Sequence, residues 1–196
     1  MTDERDVRPG RRRTLSEQTI LEAALAILAD RGAEHVTIRG IASRVGVAPN
    51  GVYTYFPDKA AVLQGLVEQL LGRVNHDRFT DPSLHWRDRV HALALDMRAD
   101  LLAHPGSVHL LLADPLDGPN ARAVNKTLLA ILDDAGLGHD DAVRAAHLLN
   151  VHVLGSVALE VGGAADPVSD RRTDLFIWGL DRALDGLTAY SGQELT

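Results

Sequence analysis

Residues 37–59 have the sequence TIRGIASRVGVAPNGVYTYFPDK, and this stretch carries the strongest structural signal in the chain. Thr37 is suited to cap a short helix, because its hydroxyl can accept a hydrogen bond from a free backbone N–H of the first turn. Gly46 suits a sharp turn after that helix, because glycine adopts a positive φ without steric cost. Pro49 fits the start of a second short helix, where its missing N–H costs little. The stretch therefore predicts a helix-turn-helix.

The second of these helices has two different sides. Val52 and Phe56 lie on an apolar side, whereas Asn50, Gly51 and Thr54 lie on a side made of small or polar groups. A short helix with an apolar back and a small, polar front fits the major groove of duplex DNA. The sequence therefore predicts double-stranded DNA as a partner.

Charge is distributed unevenly along the 196 residues, which carry a formal net charge of −7 with 45% hydrophobic and 24% charged residues. Residues 1–60 contain nine Lys and Arg against eight Asp and Glu, a balance of +1. Residues 61–196 contain eleven against nineteen, a balance of −8. Four arginines stand within residues 8–13, where they form either a DNA-contacting arm or a solvated tail. This asymmetry fits a DNA-facing head on an acidic body.

The composition and motifs disfavour several classes of function. The chain has no cysteine, so no disulfide, thiolate metal site or cysteine nucleophile is possible. No GxSxG, Walker or HExxH motif is present, and the paired aspartates at 133–134 and 140–141 stand at expected helix ends. The N-terminus is unlike a signal peptide, and polar residues interrupt the apolar segment 148–165. We therefore predict a non-enzymatic, cytoplasmic protein with no cofactor and no membrane partner.

The apolar residues have helical spacing through nearly the whole chain, which predicts an all-α fold of about nine helices. We expect a three-helix head that contains the helix-turn-helix, followed by a larger helical body. The predicted domains are a flexible basic arm at 1–14, the DNA-binding head at 15–62 and a ligand-binding and dimerisation body at 63–196. Outside the helix-turn-helix, the predicted helices cover about residues 16–31, 59–76, 84–103, 107–113, 120–135, 140–161 and 171–190.

The end of the helix-turn-helix resembles a known family. A Gly-Val pair precedes the second helix, and Tyr53, Phe56 and Lys59 form the pattern Tyr-x-x-Phe-x-x-Lys that closes it. Over about residues 15–70 this arrangement resembles the head of the TetR family of bacterial transcriptional repressors. We therefore expect a homodimeric repressor that binds a palindromic operator and leaves it when a small-molecule effector binds.

The residues expected to contact DNA fall into two groups. Hydroxyl and ammonium groups at positions that match the family's phosphate contacts would set register and affinity rather than sequence. The start of the second helix would face the bases, where Asn50 can pair with adenine and small side chains can touch a thymine methyl group. Tyr55 is left open between packing and a phosphate contact. The predicted set is Thr37, Arg39, Arg44, Ala48, Pro49, Asn50, Gly51, Tyr53, Tyr55 and Lys59.

The body resembles, more loosely, the ligand-binding domain of the tetracycline-repressor branch. The resemblance rests on residues 107–110, on 154–157 and on the last helix at 176–187. It places His109 at the position of a metal ligand, but Asn75 stands where the branch has a drug-contacting histidine, so we predict no metal site. A small apolar or amphipathic effector is expected among the helices of the body, which the histidines either line or support as satisfied core residues. The predicted pocket residues are His104, His109, Leu112, Thr127, His147 and Val151.

The two long helices at the end of the chain carry more apolar residues than one buried stripe needs. Two such helices from each subunit would form a four-helix interface with two-fold symmetry. The alternative is that both are central helices of a monomeric core. The predicted interface residues are Leu154, Val157, Ala158, Val161, Phe176, Leu180, Leu184 and Leu187.

Two functions of other classes compete with a ligand-responsive repressor. An all-α ligand-sequestering protein or enzyme with an incidental helix-turn-helix is one, and an enzyme would need a nucleophile or an acid–base pair that faces a cavity. An architectural DNA-binding protein without a ligand is the other. It predicts a solid body, so a sizeable cavity there would count against it.

Overall fold

The computed structural model describes residues 15–113, 117–162 and 169–191. Within these ranges the chain forms nine α-helices and two short 3-10 segments, which confirms the predicted all-α fold. The 3-10 segments are Ala33–His35 and His76–Phe79. The basic arm predicted at residues 1–14 lies outside the described residues. The helices are α1 Glu17–Arg31, α2 Ile38–Val45, α3 Pro49–Tyr53, α4 Lys59–Leu71, α5 Trp86–Ala103, α6 Ser107–Ala113, α7 Pro119–Asp134, α8 His139–Gly162 and α9 Ser169–Ser191.

Three helices of the head begin at a side chain that accepts a hydrogen bond from the backbone amide three residues further on. The hydroxyl of Ser16 does so at 3.2 Å for α1, and the hydroxyl of Thr37 at 3.0 Å for α2. The carboxylate of Asp58 does so at 2.8 Å for α4. Such caps satisfy an amide that has no partner inside the helix. The cap predicted at Thr37 is confirmed.

Helix α4 is shorter than the predicted span of 59–76, which is wrong at its C-terminal end. The helix ends at Leu71, and the chain re-forms a single 3-10 segment only from His76. Its last turn is held by a neighbouring element, because the carbonyl of Glu68 accepts both the amide of Gly72 at 2.8 Å and the side chain of Asn120 at 2.9 Å. The apolar pattern of the sequence does not contain this tertiary contact.

Head and body share one continuous core. Buried apolar side chains form a single cluster that extends from Ile20 in α1 to Leu184 in α9. Helix α4 packs against α1 in the head and against α6 and α7 in the body. The division between head and body predicted at 62/63 falls inside α4 and stays a prediction. Helix α4 therefore contacts helices of both the head and the body.

Helix α8 is the central helix of the body and packs against α5, α6, α7 and α9. With a mean hydropathy of 1.3 over its most apolar window, it is the one helix among the described residues that is long and apolar enough to cross a membrane. Length and composition alone support that possibility weakly, because the core helix of a globular body has the same pattern.

Candidate DNA-binding surface and ligand cavity

The turn between α2 and α3 sets the position of the second helix. Gly46 has φ 83° and ψ 35°, a left-handed conformation that glycine adopts without the steric cost of a Cβ. Ala48 is extended and precedes α3, which starts with Pro49. Val52 is fully buried and anchors the inner side of α3. The short helix is thus held by its apolar side against the head.

The exposed start of α3 is made of Ala48, Pro49 and Asn50. Asn50 contributes its backbone carbonyl to the Thr54 hydroxyl, and its side-chain amide makes no hydrogen bond within the described part of the chain. Gly51 is different, because a Cβ there would lie 3.2 Å from the side chain of Leu15. Of the four positions predicted to face the bases, three are therefore exposed, and Gly51 is half-buried against Leu15.

Two exposed hydroxyl groups flank this surface. Tyr53 is 52% exposed, and its hydroxyl makes no hydrogen bond to another described residue. The Thr37 hydroxyl accepts the amide of Gly40 but keeps its own proton to donate. Both groups can therefore donate a hydrogen bond to a phosphate oxygen, which would fix the register of the head on a duplex.

Tyr55 and Lys59 make contacts inside the head. The Tyr55 hydroxyl donates to the carbonyl of Leu15 at 2.8 Å, which favours the packing alternative for this residue. The Lys59 ammonium donates to the carbonyl of Ala33 at 3.1 Å. An ammonium has three N–H donors, so Lys59 can also reach a phosphate while it holds α4 against the 3-10 segment after α1.

The two predicted arginines differ in how they are engaged. Arg44 pairs with Asp30 at 3.2 Å, and both side chains are about half exposed, so the pair adds little stability. Arg39 is exposed and has no ion-pair partner among the described residues. Arg39 is therefore the better placed of the two to meet a phosphate.

A cavity of about 220 Å³ lies in the body among α4, α5, α6, α7 and α8. Twelve of its fifteen lining residues are apolar, and the three polar ones are Arg122, Asn125 and Asn150. Leu71 is the contribution of α4, the helix that also packs in the head. This cavity disfavours the architectural alternative, which predicted a solid body.

The six predicted pocket residues do not line this cavity, and for four of them the reason is helix phase. His109 and Leu112 are exposed on α6, whereas Leu111 lines the cavity. His147 and Val151 are exposed on α8, whose other side lines it. Successive residues of a helix are rotated by about 100°, so a shift of one or two positions moves a side chain to another face. These four residues therefore lie on helices that line the cavity but outside its lining.

The other two predicted pocket residues are engaged in hydrogen bonds elsewhere. His104 donates from Nδ1 to the carbonyl of Asp100 at 2.9 Å and accepts from Arg73 at Nε2 at 3.2 Å. The Thr127 hydroxyl is bonded to Nδ1 of His76 at 2.7 Å. These are satisfied polar groups that tie the segment after α4 to α5 and α7. Within the described residues, no group of three His, Asp or Glu side chains is placed to hold a metal ion.

A hydrogen-bonded joint connects α4 to the first turn of α7. The Glu68 carboxylate accepts from the amide of Asn120 at 2.7 Å and from the amide of Ala121 at 3.4 Å. Gly118 is the residue before α7, and a Cβ there would collide with this carboxylate. Glu68 thus takes the role of a capping side chain that Gly118 lacks. We call Glu68, Gly118, Asn120 and Ala121 the α4–α7 joint.

Sequence reasoning missed this joint because its partners are far apart in the chain. Glu68 and Asn120 are 52 positions apart, and no local pattern links them. One signal was present, since Gly118-Pro119 starts a helix without a capping side chain of its own. Ala121 belongs to the joint and also lines the cavity, so the two features share one turn of α7.

The predicted dimer residues divide between the core and the surface. Val157, Phe176, Leu180 and Leu184 are buried within the chain itself, so they cannot face a partner. Leu154, Ala158, Val161 and Leu187 are partly buried. The exposed large apolar side chains among the described residues of α8 and α9 are Val143, Leu148, Val151, Leu159, Leu175 and Trp178, with Leu159 80% exposed.

An ion pair joins α9 to the start of α5. Arg87 donates to Asp185 at 2.6 Å, and this hydrogen bond holds the pKa of the Asp185 carboxyl below its usual value. A lowered pKa means that folding favours the charged carboxylate. The pair helps to hold the last helix against the body.

Comparison with known proteins places this geometry in a family. Residues 20–66 match the bacterial regulatory proteins of the tetR family, and residues 80–176 match the tetracyclin repressor-like C-terminal domain. The chain belongs to the TetR family.

Two curated relatives show how similar the chain is to other members of the TetR family. An HTH-type transcriptional regulator of Saccharopolyspora erythraea is 32% identical over 146 residues, which is 74% of this chain and 61% of that protein. The class A tetracycline repressor of Escherichia coli is 28% identical over 152 residues, which is 78% of this chain and 70% of the repressor. The chain thus spans less than two thirds of the length of the first of these relatives.

Two solved structures have the same overall fold. A variant of TetR from Acinetobacter baumannii in complex with minocycline is 27% identical, with a TM-score of 0.78 over 91% of this chain and 99% of that chain. BioQ in complex with its natural double-stranded DNA operator is 27% identical, with a TM-score of 0.74 over 90% of this chain and 99% of that chain. Solved structures of this fold therefore include a protein with a bound drug and a protein bound to its operator.

Proposed function

We propose that this protein is a homodimeric transcriptional repressor of the cytoplasm, which binds a palindromic operator and is released from it by a small molecule. The observation that carries this proposal is that α4 contacts both the head and the cavity of the body. Its first half packs in the head that bears the exposed start of α3, and its last residue, Leu71, lines the cavity. The protein acts by binding and not by catalysis.

The α4–α7 joint supplies the coupling between cavity and head. A ligand that contacts Ala121 and Leu71 contacts both of the helices that the joint connects. Because Glu68 is held by two amides of α7, a shift of α7 is transmitted to α4 and from there to the head. Ligand and operator then favour different positions of α4, so each lowers the affinity of the other by the same factor.

The dimer is proposed to form through the outer faces of α8 and α9. Val151, Gly155 and Leu159 are spaced by four residues and lie along one stripe of α8, with open space outside Gly155. Leu175 and Trp178 extend the apolar surface onto α9. Small and apolar side chains on paired helices allow close packing, and a two-fold axis would present two copies of α3 to one palindrome.

The proposal is tested by selecting bound sequences from a random DNA pool and by measuring the affinity of the selected duplex as a function of salt. A palindrome with half-sites about one helical turn or a multiple apart is expected. Arg39→Ala is expected to weaken binding to all duplexes and to lower the salt slope by about one unit. Lys126→Ala removes an equal charge from the exposed side of α7 and serves as the control, because it lies in the body.

Asn50→Ala separates base recognition from phosphate contact. Loss of the Asn50 amide is expected to relax the base preference at one position of the palindrome and to leave the salt dependence of the affinity unchanged. Failure of the unmodified protein to enrich any sequence from the pool would overturn the proposed function.

A further inference from the structure

We propose that the effector of this protein is an amphipathic anion, a molecule with an apolar body and one carboxylate or similarly charged oxygen group that is bound by Arg122. This inference rests on the proposed function, since it describes what fills the same cavity. The observations that support it are the charge of the cavity lining and the bonds that its polar groups already make.

The wall of the cavity selects an apolar body. Helices α5 and α8 contribute apolar side chains such as Leu93, Met97 and Val153, and α4 adds Leu71. Burying apolar ligand surface against such a wall is favourable by about 25 cal/mol per Å². A ligand with hydroxyl groups on every side would instead lose its bonds to water without replacing them, because only three of the fifteen lining residues are polar.

Two of the three polar residues of the cavity form a patch on α7. Arg122 and Asn125 are three residues apart, so they lie on one side of that helix, and Asn150 lines the cavity from α8. Arg122 is the one charged side chain among the described residues that line the cavity. A ligand that places a single polar group at this patch can leave the rest of its surface against the apolar wall.

The charge of Arg122 is not compensated by a carboxylate among the described residues. Its guanidinium donates to the backbone carbonyl of Asp117, and it has five N–H donors in all. The carboxylate of Glu68, which lies at the same end of α7, is already held by the amides of Asn120 and Ala121. Arg122 therefore retains donors for an anion, and a guanidinium binds a carboxylate through charge-assisted hydrogen bonds.

The side-chain amides of Asn125 and Asn150 complement such a group. Each amide can donate through its nitrogen and accept through its oxygen, so the pair accommodates both oxygens of a carboxylate or a neighbouring hydroxyl. A cationic head group would face Arg122 and find no acidic side chain among the described residues that line the cavity. The order of preference for a fixed apolar chain is therefore anion, then neutral group, then cation.

Three probes with the same apolar chain test this order: decanoate, decanol and decylamine. Their affinities for the full chain are measured by isothermal titration calorimetry at neutral pH. Decanoate is expected to bind about tenfold more tightly than decanol, because a hydrogen bond to a charged group contributes more than one to a neutral group. Decylamine is expected to bind most weakly.

Two variants assign the preference to Arg122. Arg122→Met keeps an apolar stem of similar length and removes the charge. The affinity for decanoate is therefore expected to fall to that for decanol, while the affinity for decanol changes little. Lys126→Met removes a cation from the same helix outside the lining and is expected to keep the preference of the unmodified protein. The circular dichroism spectrum of both variants shows whether the body is folded.

The proposal would be overturned by any of three differences in affinity, and also by a lack of binding. They are equal binding of decanoate and decanol, a preference for decylamine, or a preference for decanoate that survives in folded Arg122→Met. Binding of none of the three probes overturns it as well, because the cavity would then not accept an apolar chain. The proposed function is judged separately, by binding of the unliganded protein to selected duplex DNA. If the protein prefers decanoate through Arg122 but enriches no DNA sequence, the proposed ligand class stands and the proposed repressor function is refuted.

Discussion

Replacing Glu68 tests the α4–α7 joint directly. Glu68→Gln keeps a side-chain oxygen of the same length and removes the charge that faces two amides at the start of α7. A carboxylate at a helix N-terminus stabilises by about 0.3–1 kcal/mol when exposed and by up to about 2 kcal/mol when partly buried. Glu68 is half-buried. We therefore expect Glu68→Gln to lower the free energy of unfolding by about 1 kcal/mol.

Glu68→Ala removes the oxygen acceptors as well and leaves two amides of α7 without a protein partner. The loss of a capping side chain costs about 0.5–2 kcal/mol, so about 2 kcal/mol is expected in total. For a chain of this size, 1 kcal/mol corresponds to a shift in Tm of about 2–4 °C. Glu68→Gln should then melt about 2–4 °C and Glu68→Ala about 4–8 °C below the unmodified protein in a calorimetric scan.

Stability alone does not show that the joint transmits a signal, so the second measurement is coupling. The affinity for the selected operator is measured with and without a saturating effector. If the α4–α7 joint carries the signal, the ratio of the two affinities should fall by about fivefold in Glu68→Ala, the lower range of typical allosteric coupling. The affinity of the DNA-free protein for the effector should change much less.

Gly118→Ala provides an independent way to break the joint. Gly118 has φ −68°, which alanine adopts without strain, but the added Cβ would displace the Glu68 carboxylate. It should therefore reproduce the loss of coupling while the charge of Glu68 stays in place. Glu22→Gln is the control, because Glu22 is exposed and, among the described residues, bonds only to Gln18 of its own helix. Unchanged melting in Glu68→Ala, or unchanged coupling in both joint variants, would refute the reasoning.

Three further predictions concern other parts of the molecule. Tyr53→Phe should weaken operator binding by about 1 kcal/mol in a gel-shift titration without changing sequence preference, because one hydrogen bond to a phosphate is lost; a change in preferred sequence would contradict this role. Leu159→Glu should shift the protein toward a monomer in light scattering, whereas Leu112→Glu, on an exposed position of α6, should not; a dimer that survives the first change would exclude the α8 face. Asp185→Asn should lower the Tm at neutral pH, and its difference from the unmodified protein should vanish as the pH falls through the lowered pKa of Asp185, because a carboxyl with a depressed pKa stabilises only while it is ionised.

Much of the head could be predicted from local sequence. The cap at Thr37, the left-handed turn at Gly46 and the start of α3 at Pro49 each depend on residues within a few positions of one another. Helices of the body were predicted to within a few residues for the same reason, since apolar spacing is a local property. The predicted end of α4 was wrong, because apolar spacing continues past Gly72, where the helix ends.

The candidate sites were predicted less well because each depends on which face of a helix is turned inward. The body of the chain is apolar around much of α6 and α8, so the sequence pattern does not select one face. Packing in the structure turns Leu111 to the cavity and leaves Leu112 outside. The same packing buries Leu180 and Leu184 and leaves Trp178 exposed, although all three are apolar residues of α9.

The sequence by itself determined the helical class, the helix-turn-helix and the resemblance to TetR regulators, because caps, turns and apolar spacing act over a few residues. Only the tertiary structure decided that α4 lines the cavity at Leu71 and that Glu68 caps α7. It also decided that Arg122 is the charged residue of the cavity lining. The physical reason is that these contacts join residues far apart in the chain, and their partners are set by how whole helices pack rather than by the order of nearby residues.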